Sequence, residues 1–201
     1  SVMSKVWNKK IFEHIQKDVD KASKDLAEER GACPDAADYG IKERFSNKTA
    51  IAPTASISII CGGTSPGVEP IAANSFTHKT LSGSFNVRNR YLEKILEKHN
   101  KNDDETWSSI TTNEGSVSHL DFLTQQEKDV FKTAFELDQK WIIELGGDRT
   151  PHISQAQSIN IFVPADIHKK ELHQIHFQAW KKGLKSLYYC RSKSIQRAEN
   201  I

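Results

Sequence analysis

A chain of 201 residues, 37% hydrophobic and 27% charged, is long enough for one good-sized globular domain or for a large piece of a longer one. A formal net charge of +2 gives no electrostatic reason to expect nucleic acid or a membrane as partner, and no apolar run is long enough to cross a bilayer. The N-terminal stretch is too charged for a secretory signal, and Cys33, Cys61 and Cys190 form no C-x-x-C pair. The expectation is a reduced, cytoplasmic chain with no zinc or dithiol motif.

Trp7, Ile11, Ile15, Val19, Ala22 and Leu26 recur at steps of three and four, which predicts a helix with that stripe inward and Gly31 as its C-cap. Residues 32–48, with Pro34, two Asp and an Asn, read as a connecting loop. The apolar run over 50–60 reads as a buried strand, followed by the turn CGGTSPG and an extended polar stretch through Asn86. YLEKILEKH (91–99) reads as a short helix, and NKNDDET (100–106) as a solvated acidic loop rather than a metal site.

One long helix is predicted over 124–145. Thr124 and Glu127 make a T-x-x-E capping box, and Phe131, Ala134, Phe135, Trp141, Ile142 and Leu145 share a face with the polar Asp138. Gly146 and Gly147 then stop the helix. SINIFV (158–163) reads as a strand, and residues 166–183 as a helix with Leu172, Ile175, Ala179 and Trp180 inward and Gly183 as cap. LKSLYYC (184–190) is the last predicted strand, and RSKSIQRAEN (191–200) a polar tail. Strands separated by helices predict an α/β fold with parallel pairing. The helix-first start and polar end read as those of a piece of something longer.

Three groups of residues invite a chemical reading. PTASIS (53–58) offers the hydroxyls of Thr54, Ser56 and Ser58 around a small Ala55, a pattern suited to holding an anion on hydroxyls and backbone N–H groups. No G-x-x-x-x-G-K-[ST] is present, which excludes a nucleoside-triphosphate P-loop, and on spacing alone a capped core strand is the plainer alternative. Tyr188 and Tyr189 are neighbours on a predicted strand, where side chains alternate. One ring in the core and one at the surface is the ordinary outcome, and stacking both in a redox relay requires a break from strand geometry. His168, His173 and His176, near Glu171, read as a solvated helix face, and Cys61 and Cys190 as buried thiols.

Taken in order, NKTAIAPTASIS, GGTSPGVEPIAANSFTHKTLSGSFNVRNRYLEK, SQAQSINIF and AWKKGLKSLYYCRS resemble the large, catalytic subunit of ribonucleotide reductase, from Trp7 to Arg197. The resemblance implies the second half of a ten-stranded α/β barrel made of two five-stranded halves, with residues 1–201 as one region of it. It implies that Pro53, Thr54, Ala55, Ser56 and Ile57 cradle the phosphates of the substrate nucleotide. It further implies that Tyr188 and Tyr189 belong to a class I radical relay between a small subunit and a catalytic cysteine. None of the three cysteines matches a catalytic context, and the family's regulatory N-terminal region, finger-loop cysteine and C-terminal thiol tail have no counterpart here. Asn89-Arg90 replaces the family's usual Asn-Pro.

The implied function is a share in converting ribonucleotides to deoxyribonucleotides, without turnover by this chain alone. The implied partners are the complementary N-terminal part of the large subunit, a metal-containing radical-generating small subunit and the nucleotide, with no cofactor held by this chain. A homodimer is the other way to cover an open barrel surface. The competing reading is a non-catalytic half-barrel that binds nucleotides or another protein.

Overall fold

A computed structural model describes residues 2–81 and 83–192, so most of the polar tail expected at 191–200 lies outside the described residues. The chain divides into two compact units, Ser1–Pro53 with Gln139–Ile201, and Thr54–Asp138.

The first unit opens with helix α1 (Val2–Arg30), closed as expected by Gly31 at φ +83°, whose N–H bonds to the Ala27 carbonyl at 2.9 Å. The helix docks by a different face from the predicted one. Lys5 pairs with Glu144 and Asp148, Asn8 donates to the Leu145 carbonyl, and Gln16 bonds His152. Asp20 pairs with Lys48, and the Ser23 hydroxyl accepts from the N–H groups of Arg44 and Phe45. These positions also recur at three and four, and the small, buried Ser23 and Ala27 let the neighbouring chain approach closely. Of the expected inward stripe, Trp7, at 59% exposure, faces out together with Ile11 and Ile15, while Val19 and Leu26 are half-buried. Helix α2 (Pro34–Ala37) is one turn within the loop that follows.

Periodicity fails again at 124–145, which is two helices rather than one. The capping box is present and starts α6 (Gln125–Val130), but the chain then turns and resumes as α7 (Gln139–Arg149). Between them the backbone is drawn into bonds with residues 71–74: Ala134 N–H donates to the Ile71 carbonyl, and the Asn74 amide donates to the Phe131 carbonyl. Those bonds compete with helix continuation. Gly146 and Gly147 lie inside α7 rather than ending it. A Cβ on Gly146 would stand 2.7 Å from Ile159 Cδ1, and one on Gly147 2.8 Å from Lys182 Cβ, so both serve close packing.

After a 3₁₀ turn (Thr150–His152) come β3 (Ile161–Val163), α8 (Lys169–Lys181) and β4 (Cys190–Ser192). β3 and β4 pair in parallel, with Ile161 opposite Cys190 and Val163 opposite Ser192. Ile51 forms a parallel bridge to Gln157, so the 156–163 segment has a neighbour on each side. Ile143, Ile161, Val163, Ile175 and Ala179 form the core here. Gly183 follows α8 at φ +74°, as expected, and His168 is its N-cap, but Trp180 is 71% exposed rather than inward. The β3–α8–β4 crossover is parallel as predicted, but the last strand is shifted: β4 starts at Cys190, and residues 184–189, predicted as strand, lie outside it.

The second unit contains α3 (Ala55–Ile60), an antiparallel hairpin of β1 (Ser75–Thr80) and β2 (Gly83–Arg88), α4 (Arg90–Lys98) and α5 (Asp104–Thr112), besides α6. The acidic run read as a loop is a helix start. Asp103 caps α5 by accepting from Thr106 N–H at 2.7 Å, a bond that holds its carboxyl below the usual range, and Asp104 and Glu105 occupy the positive end of the helix. Leu92, Leu96, Trp107, Ile110, Val117, Leu120 and Leu123 pack beneath.

The polar centre of this unit is Asn74, 1% exposed. Its amide donates to the Gly115 and Phe131 carbonyls, and its Oδ1 accepts from Asn89. Asn89 in turn caps α4. Among the described residues the sheets are two-stranded and no sheet closes into a barrel, and no helix is long and apolar enough to cross a membrane.

Gly115 is the position where a single methyl matters most. Its φ is +80°, and a Cβ would fall 2.4 Å from Ala73 Cβ and 2.8 Å from the Asn74 nitrogen. Gly115→Ala is therefore expected to cost about 3 kcal/mol or more, read as a lower urea midpoint at an unchanged slope.

Candidate functional site

The Pro53–Ile57 segment is not part of a long strand. Extended pairing ends at Ile51, and α3 begins at Ala55 with Thr54 as its N-cap residue. The β-branched run Ile57, Ile59 and Ile60 suggested a strand, yet all three are exposed, at 55%, 61% and 84%. Local bonds favour the helix: Ser58 N–H donates to the Thr54 carbonyl at 2.7 Å, and the Ser58 hydroxyl donates to the Ala55 carbonyl at 2.8 Å.

The three hydroxyls singled out by sequence have different situations. Thr54 is committed to the glycine-rich turn, with its N–H and its hydroxyl both donating to the Pro66 carbonyl, at 3.2 and 2.8 Å. Ser58 is buried and bonded within α3. Ser56 is exposed, and its hydroxyl makes no hydrogen bond within the described residues. The N–H groups of Ala55, Ser56 and Ile57 head the first turn, where a helix has no acceptor of its own. The segment thus offers one open hydroxyl and a short row of backbone donors, held by a turn strapped across Thr54.

That turn leaves α3 through Gly62 and Gly63, at φ +87° and +74°, and Gly63 and Thr64 N–H both bond back to the Ser58 carbonyl. Arg90 lies against it, with Nη1 3.1 Å from where a Gly62 Cβ would stand, while Nη2 donates to the Tyr91 hydroxyl.

Tyr188 and Tyr189 sit immediately before β4, outside regular strand geometry. Their backbone is fixed from one side: Tyr188 N–H donates to the Ile159 carbonyl, the Tyr189 carbonyl accepts from Ile161 N–H, and Tyr189 N–H donates to Asn160 Oδ1. The rings do not alternate. Their centroids are 4.1 Å apart, their planes meet at 54°, and the hydroxyls are 3.4 Å apart. About half of each ring is exposed.

The hydrogen bond from Tyr188 to Tyr189 raises the Tyr188 phenol above its ordinary range, the Tyr189 charge and partial burial add to this, and Arg191 opposes it. The Arg191 guanidinium lies over the Tyr189 ring, 5.2 Å from its centroid. Tyr189, Cys190, Arg191 and Ser192 line an open recess of about 580 Å³. Sequence reasoning passed over Asn160 and Arg191, whose only signal is nearness to the pair in sequence or across the sheet.

The phosphate-type segment belongs to the second unit from Thr54 onward, and the tyrosine pair to the first. Cys61 and Cys190 are exposed rather than buried, one at a helix C-cap and the other on a strand with an open face. His173 and His176 on α8, and His168 at its N-cap, are exposed as expected.

Residues 34–190 match the family model described as the ribonucleotide reductase barrel domain. The chain is 49% identical over 195 residues to the ribonucleoside-diphosphate reductase large subunit of Invertebrate iridescent virus 6, covering 95% of this chain and 20% of the relative. It is 44% identical over 197 residues to the same subunit of Invertebrate iridescent virus 3, covering 96% of this chain and 31% of the relative. Among solved structures, the Actinobacillus ureae class Id ribonucleotide reductase alpha subunit superimposes with a TM-score of 0.86 at 38% identity, covering 96% of this chain and 35% of that one. The chain therefore spans between a fifth and a third of the length of these curated relatives.

The sorting of hydroxyls has a direct test. Thr54→Val is expected to lower stability by about 1 kcal/mol, because it removes the hydroxyl bond to Pro66, while Ser56→Ala stays within about 0.5 kcal/mol of the parent. Urea unfolding of the two variants measures the difference.

Proposed function

The chain belongs to the ribonucleotide reductase barrel-domain family, and from that membership we propose that it supplies a class I large subunit with its substrate-phosphate segment and the tyrosine pair of its radical relay. In this reading the 201 residues are the second half of the ten-stranded barrel and do not turn over alone. The radical-forming cysteine comes from the complementary N-terminal part of the subunit, and the radical itself from a metal-containing small subunit.

The observation that carries the reading is the geometry of Tyr188 and Tyr189. Two adjacent tyrosines with hydroxyls 3.4 Å apart suit a hydrogen-atom hop. If Tyr189 carries the radical, the Tyr188 O–H bond, which is directed at the Tyr189 oxygen, breaks and a Tyr189 O–H bond forms. One electron and one proton move in the same direction, and no further oxidant is needed. Tyr188 is then the radical passed onward to the catalytic cysteine.

For the nucleotide, the N–H groups of Ala55, Ser56 and Ile57 and the Ser56 hydroxyl are the donors, with Pro53 setting the entry and Thr54 holding the turn. Hydrogen bonds to a charged phosphate are stronger than neutral ones.

The experiment is turnover and nucleotide binding in the completed enzyme. Tyr188→Phe and Tyr189→Phe are each expected to abolish reduction and leave nucleotide affinity unchanged, since only the redox-active hydroxyl is lost. Ser56→Ala is expected to weaken nucleotide binding about tenfold. Full turnover in both tyrosine variants would overturn the relay, and unchanged affinity in Ser56→Ala the phosphate assignment. Nucleotide binding without turnover in any combination supports the non-catalytic half-barrel instead.

A further inference from the structure

We propose that Asn160 is a positioning residue for the tyrosine pair: its side-chain carbonyl takes up the backbone N–H displaced by a β-bulge at Tyr188–Tyr189, and that bulge brings the two rings together. The proposal rests on the relay reading above for its function, and on the hydrogen-bond pattern for its geometry.

The bulge is read from the ladder. Ile161 stands opposite Cys190, and its N–H donates to the Tyr189 carbonyl, the bond that a parallel ladder makes at that register. One step back, a regular ladder would set Ile159 opposite Tyr188. Tyr189 N–H would then donate to the Ile159 carbonyl, and Ile159 N–H to the Leu187 carbonyl. Instead the donor to the Ile159 carbonyl is Tyr188 N–H at 2.8 Å, and Ile159 N–H turns back to the Gln157 carbonyl at 3.0 Å. The chain entering β4 therefore carries one residue more than its partner over this step, which defines a bulge.

A bulge leaves one backbone group without its ladder partner. Here that group is Tyr189 N–H, and Asn160 Oδ1 accepts it at 3.3 Å. Asn160 sits between Ile159 and Ile161, the two residues whose backbones bond the pair, so its side chain reaches the displaced donor from within the same strand. The consequence is the ring geometry. In an unbroken strand consecutive side chains point to opposite faces. Past the bulge the two centroids are 4.1 Å apart and the hydroxyls 3.4 Å apart. The regular register would gain the bond from Ile159 to Leu187 and return the rings to opposite faces; the Asn160 acceptor is what favours the bulge over it.

The test compares Asn160→Leu, of similar size but without an acceptor, with Asn160→Asp, which keeps one at the same reach. Amide hydrogen exchange is followed by NMR on the full chain. In Asn160→Leu the protection is expected to pass from Tyr188 N–H to Tyr189 N–H, each changing by about tenfold, as the regular register takes over. The near-ultraviolet circular dichroism of the coupled rings is expected to fall with it. Asn160→Asp is expected to keep the parent pattern of protection and the ring signal. Its Tyr189 amide resonance is expected to follow the titration of the introduced carboxylate, a reading that does not require Asn160→Leu to fold.

Tyr188 protection and the ring signal both kept in Asn160→Leu would overturn the assignment, as would a Tyr189 amide in Asn160→Asp that ignores the carboxylate. None of these readings involves turnover, so they stand apart from the relay. In the completed enzyme Asn160→Leu is expected to lose reduction at unchanged nucleotide affinity and Asn160→Asp to retain it. Full turnover by Asn160→Leu with its protection exchanged would refute the positioning role, whereas full turnover in Tyr188→Phe and Tyr189→Phe would refute the relay itself.

Discussion

The hydrogen-bonded segment from Ala156 to Val163 is the constraint on which the first unit depends. On one side it pairs with Ile51, whose N–H donates to the Ala156 carbonyl and whose carbonyl accepts from Ser158 N–H. On the other it holds Tyr188 and Tyr189 through Ile159 and Ile161, and then β4. Pro53 follows two residues after Ile51, so the same short segment fixes both the chain entering the phosphate-type sequence and the tyrosine pair. Beneath it the buried Gln157 accepts from Arg149 Nε at 2.7 Å and donates to the Gly146 carbonyl and the Thr150 hydroxyl. Arg149, also buried, reaches Asn8 of α1. Leaving any one of these groups buried and unpaired would cost about 1–3 kcal/mol, so the polar network specifies how α1, α7 and the sheet meet.

What the sequence revealed is what local chemistry decides. Gly31, Gly183 and the Thr124–Glu127 box mark helix ends because their backbone or capping chemistry is specific, and the structure places them there. The parallel β3–α8–β4 unit follows from strands separated by an amphipathic helix. The misreadings share a different cause. At 55–60, at 124–145 and along α1, the pattern fitted two structures, and distant partners chose between them. Pro66 and the Ser58 hydroxyl favoured a helix over a strand at 55–60, and Ile71 and Asn74 broke the long helix. Glu144, Leu145 and His152 turned α1 onto its polar face. Apart from the Ser58 hydroxyl, which lies within its own segment, these partners are well separated in sequence from the segments they decide, so periodicity within a segment does not contain the information.

The candidate site shows the same division. Sequence singled out both the phosphate-type segment and the tyrosine pair as candidates, but not how the individual side chains within them are engaged. That Thr54 straps the turn while Ser56 stays open depends on the Pro66 carbonyl twelve residues away. That the two tyrosine rings meet depends on bonds from 159–161, which hold the pair outside regular strand geometry. On the proposed reading, the exposed Trp7, Ile11 and Ile15 of α1 and the unclosed sheet are surfaces for the remainder of the barrel.

The most direct measurement is deoxyribonucleotide formation by this chain mixed with a class I small subunit, with and without a separately expressed N-terminal part of the large subunit. Product only when all three are present is the predicted result. Product from this chain and the small subunit alone, or none from the complete mixture of well-folded components, would contradict the account.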